Sequence, residues 1–166
     1  MQSKIQKITA NLWFDTQAEE AARFYTSLFT NSKIGRITYF GKERHVIEGI
    51  SEGTVMTVQF FLDGQEFIAL NGGPQFKFTE ATSFIVNCES QEEVDYFWEK
   101  LSEGGDEKAK VCGWLKDKYG VSWQIVPTVL NELISRNPDK SDKVMKALLQ
   151  MKKIDIQTLI QAYEGN

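Results

Sequence analysis

The order strand, amphipathic helix, further strands occurs twice along this chain, and that internal repetition constrains the fold more than any short motif. Residues 5–14 alternate in the manner of a strand, with Ile8, Ala10, Leu12 and Phe14 on one side and Thr9, Asn11 and Trp13 on the other. Asp15-Thr16 then precedes a run from Ala18 to Phe29 with apolar Ala21, Phe24, Tyr25, Leu28 and Phe29 at helical spacing. An Asp or Thr cap and early carboxylates suit the positive end of that helix. Three strands are predicted next, near 33–40, 54–62 and 66–71, the last two joined by the tight turn Asp63-Gly64. Asn71-Gly72-Gly73-Pro74 breaks the pattern as a linker.

The order then begins again. Residues 82–88 alternate, 91–102 form an amphipathic helix through Val94, Phe97, Trp98 and Leu101, and Gly104-Gly105 stops it. Strands are predicted over 111–116 and 121–127, with a weakly marked one near 108–110 and a turn near 117–120. Thr9–Phe14 aligns on Ser83–Cys88, Gln17 on Gln91, Glu19 on Glu93 and Phe24 on Trp98. The fold class is therefore α+β, built from paired βαβββ modules. The boundaries are 1–74 for the first, 75–127 for the second, and 128–166 for a helical C-terminal extension. In that extension, Asn137-Pro138 marks a helix start, and Val144, Leu148, Met151, Ile156, Leu159, Ile160 and Tyr163 supply apolar stripes. Such stripes belong to a packing or dimerisation element.

Composition narrows the function classes. At 166 residues the chain can bury roughly 70% of its unfolded surface without staples. A net charge of −4 disfavours nucleic acid, whose phosphates need a basic face. No run is long enough to span a membrane. Two cysteines, Cys88 and Cys112, make no disulfide framework, and Met1–Ile5 lacks the apolar core of a signal peptide. The expected location is the cytoplasm. Cys112 has only Lys110 as a basic neighbour and reads as a buried, unactivated thiol. Lys116 and Asp117 read as turn residues forming a surface ion pair of little energy.

Several stretches resemble the PhnB-like, 3-demethylubiquinone-9 3-methyltransferase-like family of the glyoxalase/bleomycin resistance (vicinal oxygen chelate) superfamily. They are Leu12-Trp13-Phe14-Asp15 with Ala18-Glu19-Glu20-Ala21, then Ala69-Leu70-Asn71-Gly72-Gly73-Pro74, and most specifically Cys112 to Asp117 with Tyr119 to Pro127. Gln91 to Asp95, Gly104-Gly105 and Met151 to Asp155 fit as well, so the resemblance covers nearly the whole chain. It implies modules whose strands curl into a cleft, and a homodimer. It leaves the chemistry open, because one scaffold hosts many activities.

Enzymes of that superfamily typically hold a divalent metal through His, Glu or Gln on the first and last strands of each module. Aligned to that pattern, the slots hold Thr9, Ala69, Ser83 and Gln124. One methyl, two hydroxyls and one neutral amide are a poor donor set for zinc or nickel, so no tightly held metal and no cofactor are expected. The single histidine, His45, falls between the second and third strands near Glu43 and Glu48. It reads as a surface residue rather than a weak ligand or general base.

Strand parity assigns Ile8, Leu12, Phe14, Ile68, Leu70, Phe84, Val86, Trp123 and Ile125 to the helix side. The cleft side then holds Thr9, Asn11, Trp13, Phe67, Ala69 and Asn71 from the first module, with Gln59 if its strand follows the same parity. From the second it holds Ser83, Ile85, Asn87, Ser122, Gln124 and Val126. These groups either orient a small polar or aromatic ligand or satisfy one another. Trp114 and Trp123 can stack on a ligand or pack in a core. The expected partner is thus a small organic molecule in a metal-free cleft. The alternatives are an enzyme, either a methyltransferase of the family's type or a weakly metal-dependent lyase or isomerase, and an assembly module working through its tail. The methyltransferase reading lacks a glycine-rich turn after the first strand, where residues 12–16 contain no glycine.

Overall fold

The computed structural model describes residues 5–42 and 51–165, so His45, Glu43 and Glu48 lie outside the described residues. The chain divides into two units, Met1–Lys77 and Phe78–Asn166, each with its own sheet.

In the first unit, strand β1 (Ala10–Phe14) leads into helix α1 (Ala18–Leu28), followed by β2 (Lys33–Tyr39), β3 (Val55–Leu62) and β4 (Gln65–Asn71). The strand order is β1-β4-β3-β2, with β1 and β4 parallel and the other pairs antiparallel. Asp63 and Gly64 both have positive φ, 47° and 77°, as a two-residue hairpin turn requires. Ala18, Ala21 and Ala22 are buried in α1, and such small side chains let a helix lie close on a sheet. Tyr25 stacks on Phe60 and Phe60 on Phe67, at centroid distances of 6.2 and 5.4 Å.

The second unit runs β5 (Ser83–Cys88), helix α2 (Gln91–Ser102), β6 (Trp114–Lys116) and β7 (Ser122–Pro127), with strand order β5-β7-β6. The Ser90 hydroxyl caps α2 by accepting from Glu93 N–H, while the Glu93 carboxylate reaches past the cap to accept from Glu89 N–H. Val94 and Leu101 of α2 are buried, as are Val86, Cys88, Leu115, Trp123 and Ile125 of the sheet. Three helices follow: α3 (Thr128–Arg136), α4 (Pro138–Leu148) and α5 (Ile156–Glu164). Leu130, Leu133, Val144, Leu148, Ile154 and Leu159 form their common core, with Cys112 and Val126 packed against it. Of the tail's apolar stripes, Val144, Leu148 and Leu159 are thus buried within the second unit, and Met151, Ile160 and Tyr163 are partly buried against them.

Several expectations are corrected. The β4 face is inverted: Leu12 pairs with Ala69 and Phe14 with Asn71, so Phe67, Ala69 and Asn71 share the helix side with Leu12 and Phe14, leaving Ile68 and Leu70 opposite. The run Phe67-Ile68-Ala69-Leu70 is apolar throughout, so its sequence carries no alternation from which to choose a face. Ile8 precedes the first ladder pair and is 87% exposed rather than on the helix side. Helix α1 begins after Gln17 with no side-chain cap of its own, so neither Asp15 nor Thr16 caps it. The segment near 108–110 is a 3-10 turn, Glu107–Ala109, whose Asp106 carboxylate accepts from Lys108 N–H. Of the strand predicted over 111–116, Trp114–Lys116 is β6, whereas its first half is a tight turn: Cys112 and Gly113 have φ of 50° and 83°, and Val111 and Trp114 exchange hydrogen bonds across them. Asp117 is buried, accepting from Tyr119 N–H, Val121 N–H and Trp123 Nε1–H, while Lys116 pairs with Glu80. Cys112 is half-buried, and the buried thiol is Cys88.

Candidate functional site

In each unit one sheet face packs on a helix, and the opposite face, open except where Ser122 is 2% exposed and Val126 packs on the tail core, carries most of the candidate side chains. In the first unit, Asn11 is exposed opposite Ile68 in the ladder, and Trp13 lies opposite Leu70. The Trp13 indole donates to Gly73 O at 2.9 Å and meets Phe76 edge-on. Its ring lies so close over Gly72 that a β-carbon there would sit 2.2 Å from it, so that glycine is required by close approach. Gln59 is on the same face, but both ends of its amide are engaged: Nε2 donates to Glu66 at 2.7 Å and the carbonyl accepts from Arg36 N–H at 3.2 Å. Thr9 is half-buried just before β1, its hydroxyl accepting from Gln6 Nε2 at 3.4 Å.

Ala69 and Asn71 do not join them. Ala69 is fully buried beneath α1. The Asn71 carbonyl accepts from Ala18 N–H at 2.8 Å, and its amide donates to Val55 O at 3.0 Å. It therefore caps α1 from across the sheet and serves structure rather than a cleft.

In the second unit the ladder places Ser83 beside Ser122, Ile85 beside Gln124 and Asn87 beside Val126 on the open face. Gln124 Nε2 donates to Ser83 Oγ at 2.9 Å, and Asn87 is exposed. Across β7, Gln124 faces Trp114 and Ser122 faces Lys116. Beside this face lies a cleft of about 400 Å³, lined by Glu80, Lys108, Ala109, Val111, Trp114, Leu115 and Ser122. Its surface is mostly apolar. Ser122 is 2% exposed, and its Oγ has no hydrogen-bond partner among the described residues. The Lys116 ammonium beside Glu80 holds that carboxyl below the usual carboxylate range. Lys110 is paired with Glu107.

Of the cleft lining, sequence reasoning named Ser122 and weighed Trp114, but did not name Glu80, Lys108, Ala109, Val111 or Leu115. The parity shared by Trp114 and Lys116 within β6 was the available signal. The 3-10 turn and the segment holding Glu80 offered none.

The residues present do not fit the metal that the superfamily implies. The slot assigned to Ala69 is a methyl group on the helix side, and the open-face neighbours there, Ile68 and Leu70, cannot coordinate. Thr9, Ser83 and Gln124 offer neutral oxygens alone, and the last two are bonded to each other. Among the described residues no group of three or more His, Cys, Asp or Glu side chains is placed to hold an ion.

Residues 6–126 match the family described as 3-demethylubiquinone-9 3-methyltransferase. This chain belongs to that family. The PhnB protein from Bacillus cereus is 42% identical, covers 74% of this chain and 100% of its own, and superposes with a TM-score of 0.62. PA1353 from Pseudomonas aeruginosa is 18% identical over 74% of this chain and 98% of its own, with a TM-score of 0.58. FosX, a fosfomycin resistance protein from Listeria monocytogenes, is 16% identical over 82% of this chain and 100% of its own, with a TM-score of 0.51. These last two likenesses show the fold alone. Comparison with the curated proteins gives no match. The matched stretch of this PhnB-like chain stops at the end of β7, so α3, α4 and α5 lie beyond it.

Proposed function

We propose that this PhnB-like chain binds a small organic molecule on its open sheet surface without a tightly held metal ion. The observation that carries the reading is the cleft of about 400 Å³ in the second unit, apolar in its walls and containing the buried, unpaired hydroxyl of Ser122. A concave, mostly apolar site with few convergent polar groups is the ordinary form of a small-molecule pocket. The poor donor set at the four superfamily positions supports the metal-free part. Elemental analysis of purified protein tests that part: stoichiometric zinc, nickel or iron removes it. A fragment panel read by thermal shift tests the other, with hits expected to weaken when Trp114→Ala empties the cleft wall. The homodimer expected from the resemblance belongs to the same reading, and sedimentation velocity tests it.

The family's description favours a second reading, methyl transfer. It needs a site for S-adenosylmethionine, and β1 enters α1 through Asp15-Thr16-Gln17, with no glycine to admit a nucleotide. Titration calorimetry with that cofactor decides it. Measurable heat with a fitted stoichiometry near one favours the enzyme, and no heat removes it.

A further inference from the structure

We infer that the cleft of the second unit takes a planar aromatic ligand bearing one anionic group and one hydrogen-bonding group. This rests on the small-molecule reading above and names its ligand class.

Three observations converge. Ala109, Val111 and the half-buried Trp114 wall the cleft, and apolar and aromatic walls favour a ring over a chain of polar groups. About 400 Å³ is at the small end for ligand pockets and holds one or two rings. The second observation is Ser122 Oγ, which has no partner among the described residues although the residue is 2% exposed. A buried hydroxyl without a partner is destabilising, and a small side-chain shift that opens it to the cleft lets a ligand group donate to it or accept from it and remove that cost.

The third is charge. Two lining residues are ionised. Glu80 is engaged by Lys116, whereas Lys108 makes no ion pair among the described residues. Of the neighbouring anions, Glu107 is paired with Lys110, and Asp106 accepts from the backbone N–H of Lys108, keeping its own charge. The cleft therefore has at its rim the exposed Lys108 ammonium, without an ion-pair partner among the described residues, which favours a carboxylate, sulfonate or phenolate over a neutral ligand.

The test uses 6-hydroxy-2-naphthoate, its neutral amide, and 2-naphthoate lacking the hydroxyl. Each is titrated calorimetrically into the full chain and into Lys108→Gln and Ser122→Ala. The acid should bind about fivefold tighter than the amide, the scale of one partly exposed ion pair, and Lys108→Gln should erase that difference. The hydroxyl should strengthen binding in the wild type and not in Ser122→Ala. Without ligand, Ser122→Ala should raise Tm by about 2–4 °C, because it deletes an unpaired buried hydroxyl; a structural hydroxyl would lower it. Equal binding of acid and amide, or a hydroxyl preference that survives Ser122→Ala, overturns the ligand class and leaves small-molecule binding standing. If the naphthoates fail while other fragments bind, the class falls alone. If nothing in the fragment panel binds either, the underlying reading falls with it.

Discussion

Asn71 and Cys88 show how single side chains serve the framework rather than the cleft. Asn71 links β4 to the start of α1 and to β3 through two hydrogen bonds, and both are buried or partly so. Asn71→Ala should cost about 2 kcal/mol, because it strands the Ala18 N–H and the Val55 carbonyl. Urea unfolding followed by circular dichroism measures it; an unchanged midpoint would show that water replaces the amide. The sequence marked Asn71 as polar and strand-borne but not its direction, since the run before it alternates nothing. In the second unit β5 carries polar Ser83 and Asn87 at positions of the same parity, and there the face could be read. Burial pushes the Cys88 thiol up to about 12, and the negative charge of Glu93 adds to this. The folded state therefore favours the protonated thiol, so this contribution is whole below the ordinary thiol range and is lost as pH climbs from about 9 toward 12. Urea midpoints across that interval should fall, and less so in Cys88→Ala. At mildly alkaline pH, iodoacetamide should label half-buried Cys112 before Cys88, checked by peptide mass mapping.

Among the elements, the hairpin Val111–Trp114 and the tail depend on each other. Cys112 N–H donates to Met151 O and Gly113 N–H to Lys152 O, both at 2.8 Å. The Gln91 side chain on α2 donates to Ile154 O and accepts from Ile156 N–H. Ile154 is fully buried, and a β-carbon on Gly113 would meet its side chain at 2.8 Å and Ile125 O at 2.9 Å. Ile154→Ala should therefore lose about 2–4 kcal/mol in chemical denaturation. Gly113→Ala should also destabilise, because its φ of 83° and its contacts both oppose a side chain. The repeated strand-helix order was legible because each helix and most strands keep their own hydrophobic period. The hairpin was not, since Cys-Gly is an uncommon pair for a turn more often built from Asn-Gly or Asp-Gly. The 3-10 turn was hidden for a different reason: residues 107–109 are too few to display any period.

For the whole chain, family membership was legible from the motifs around β1, β4 and β7, which lie inside the matched stretch of residues 6–126. The cleft was less so, because its wall gathers residues from the Glu80 segment, a 3-10 turn, a hairpin and β7 that no local pattern links. Removal of residues 128–166 should lower the thermal midpoint by exposing Cys112 and Val126, which pack on the tail core. If the tail instead mediates assembly, the same truncation changes the sedimentation coefficient beyond the lost mass. None of the last three helices lines the cleft of the second unit, yet Met151 and Lys152 hold the loop whose two ends, Val111 and Trp114, form one of its sides. The width of that opening is thus set from behind, by a stretch of chain that a bound molecule would never meet.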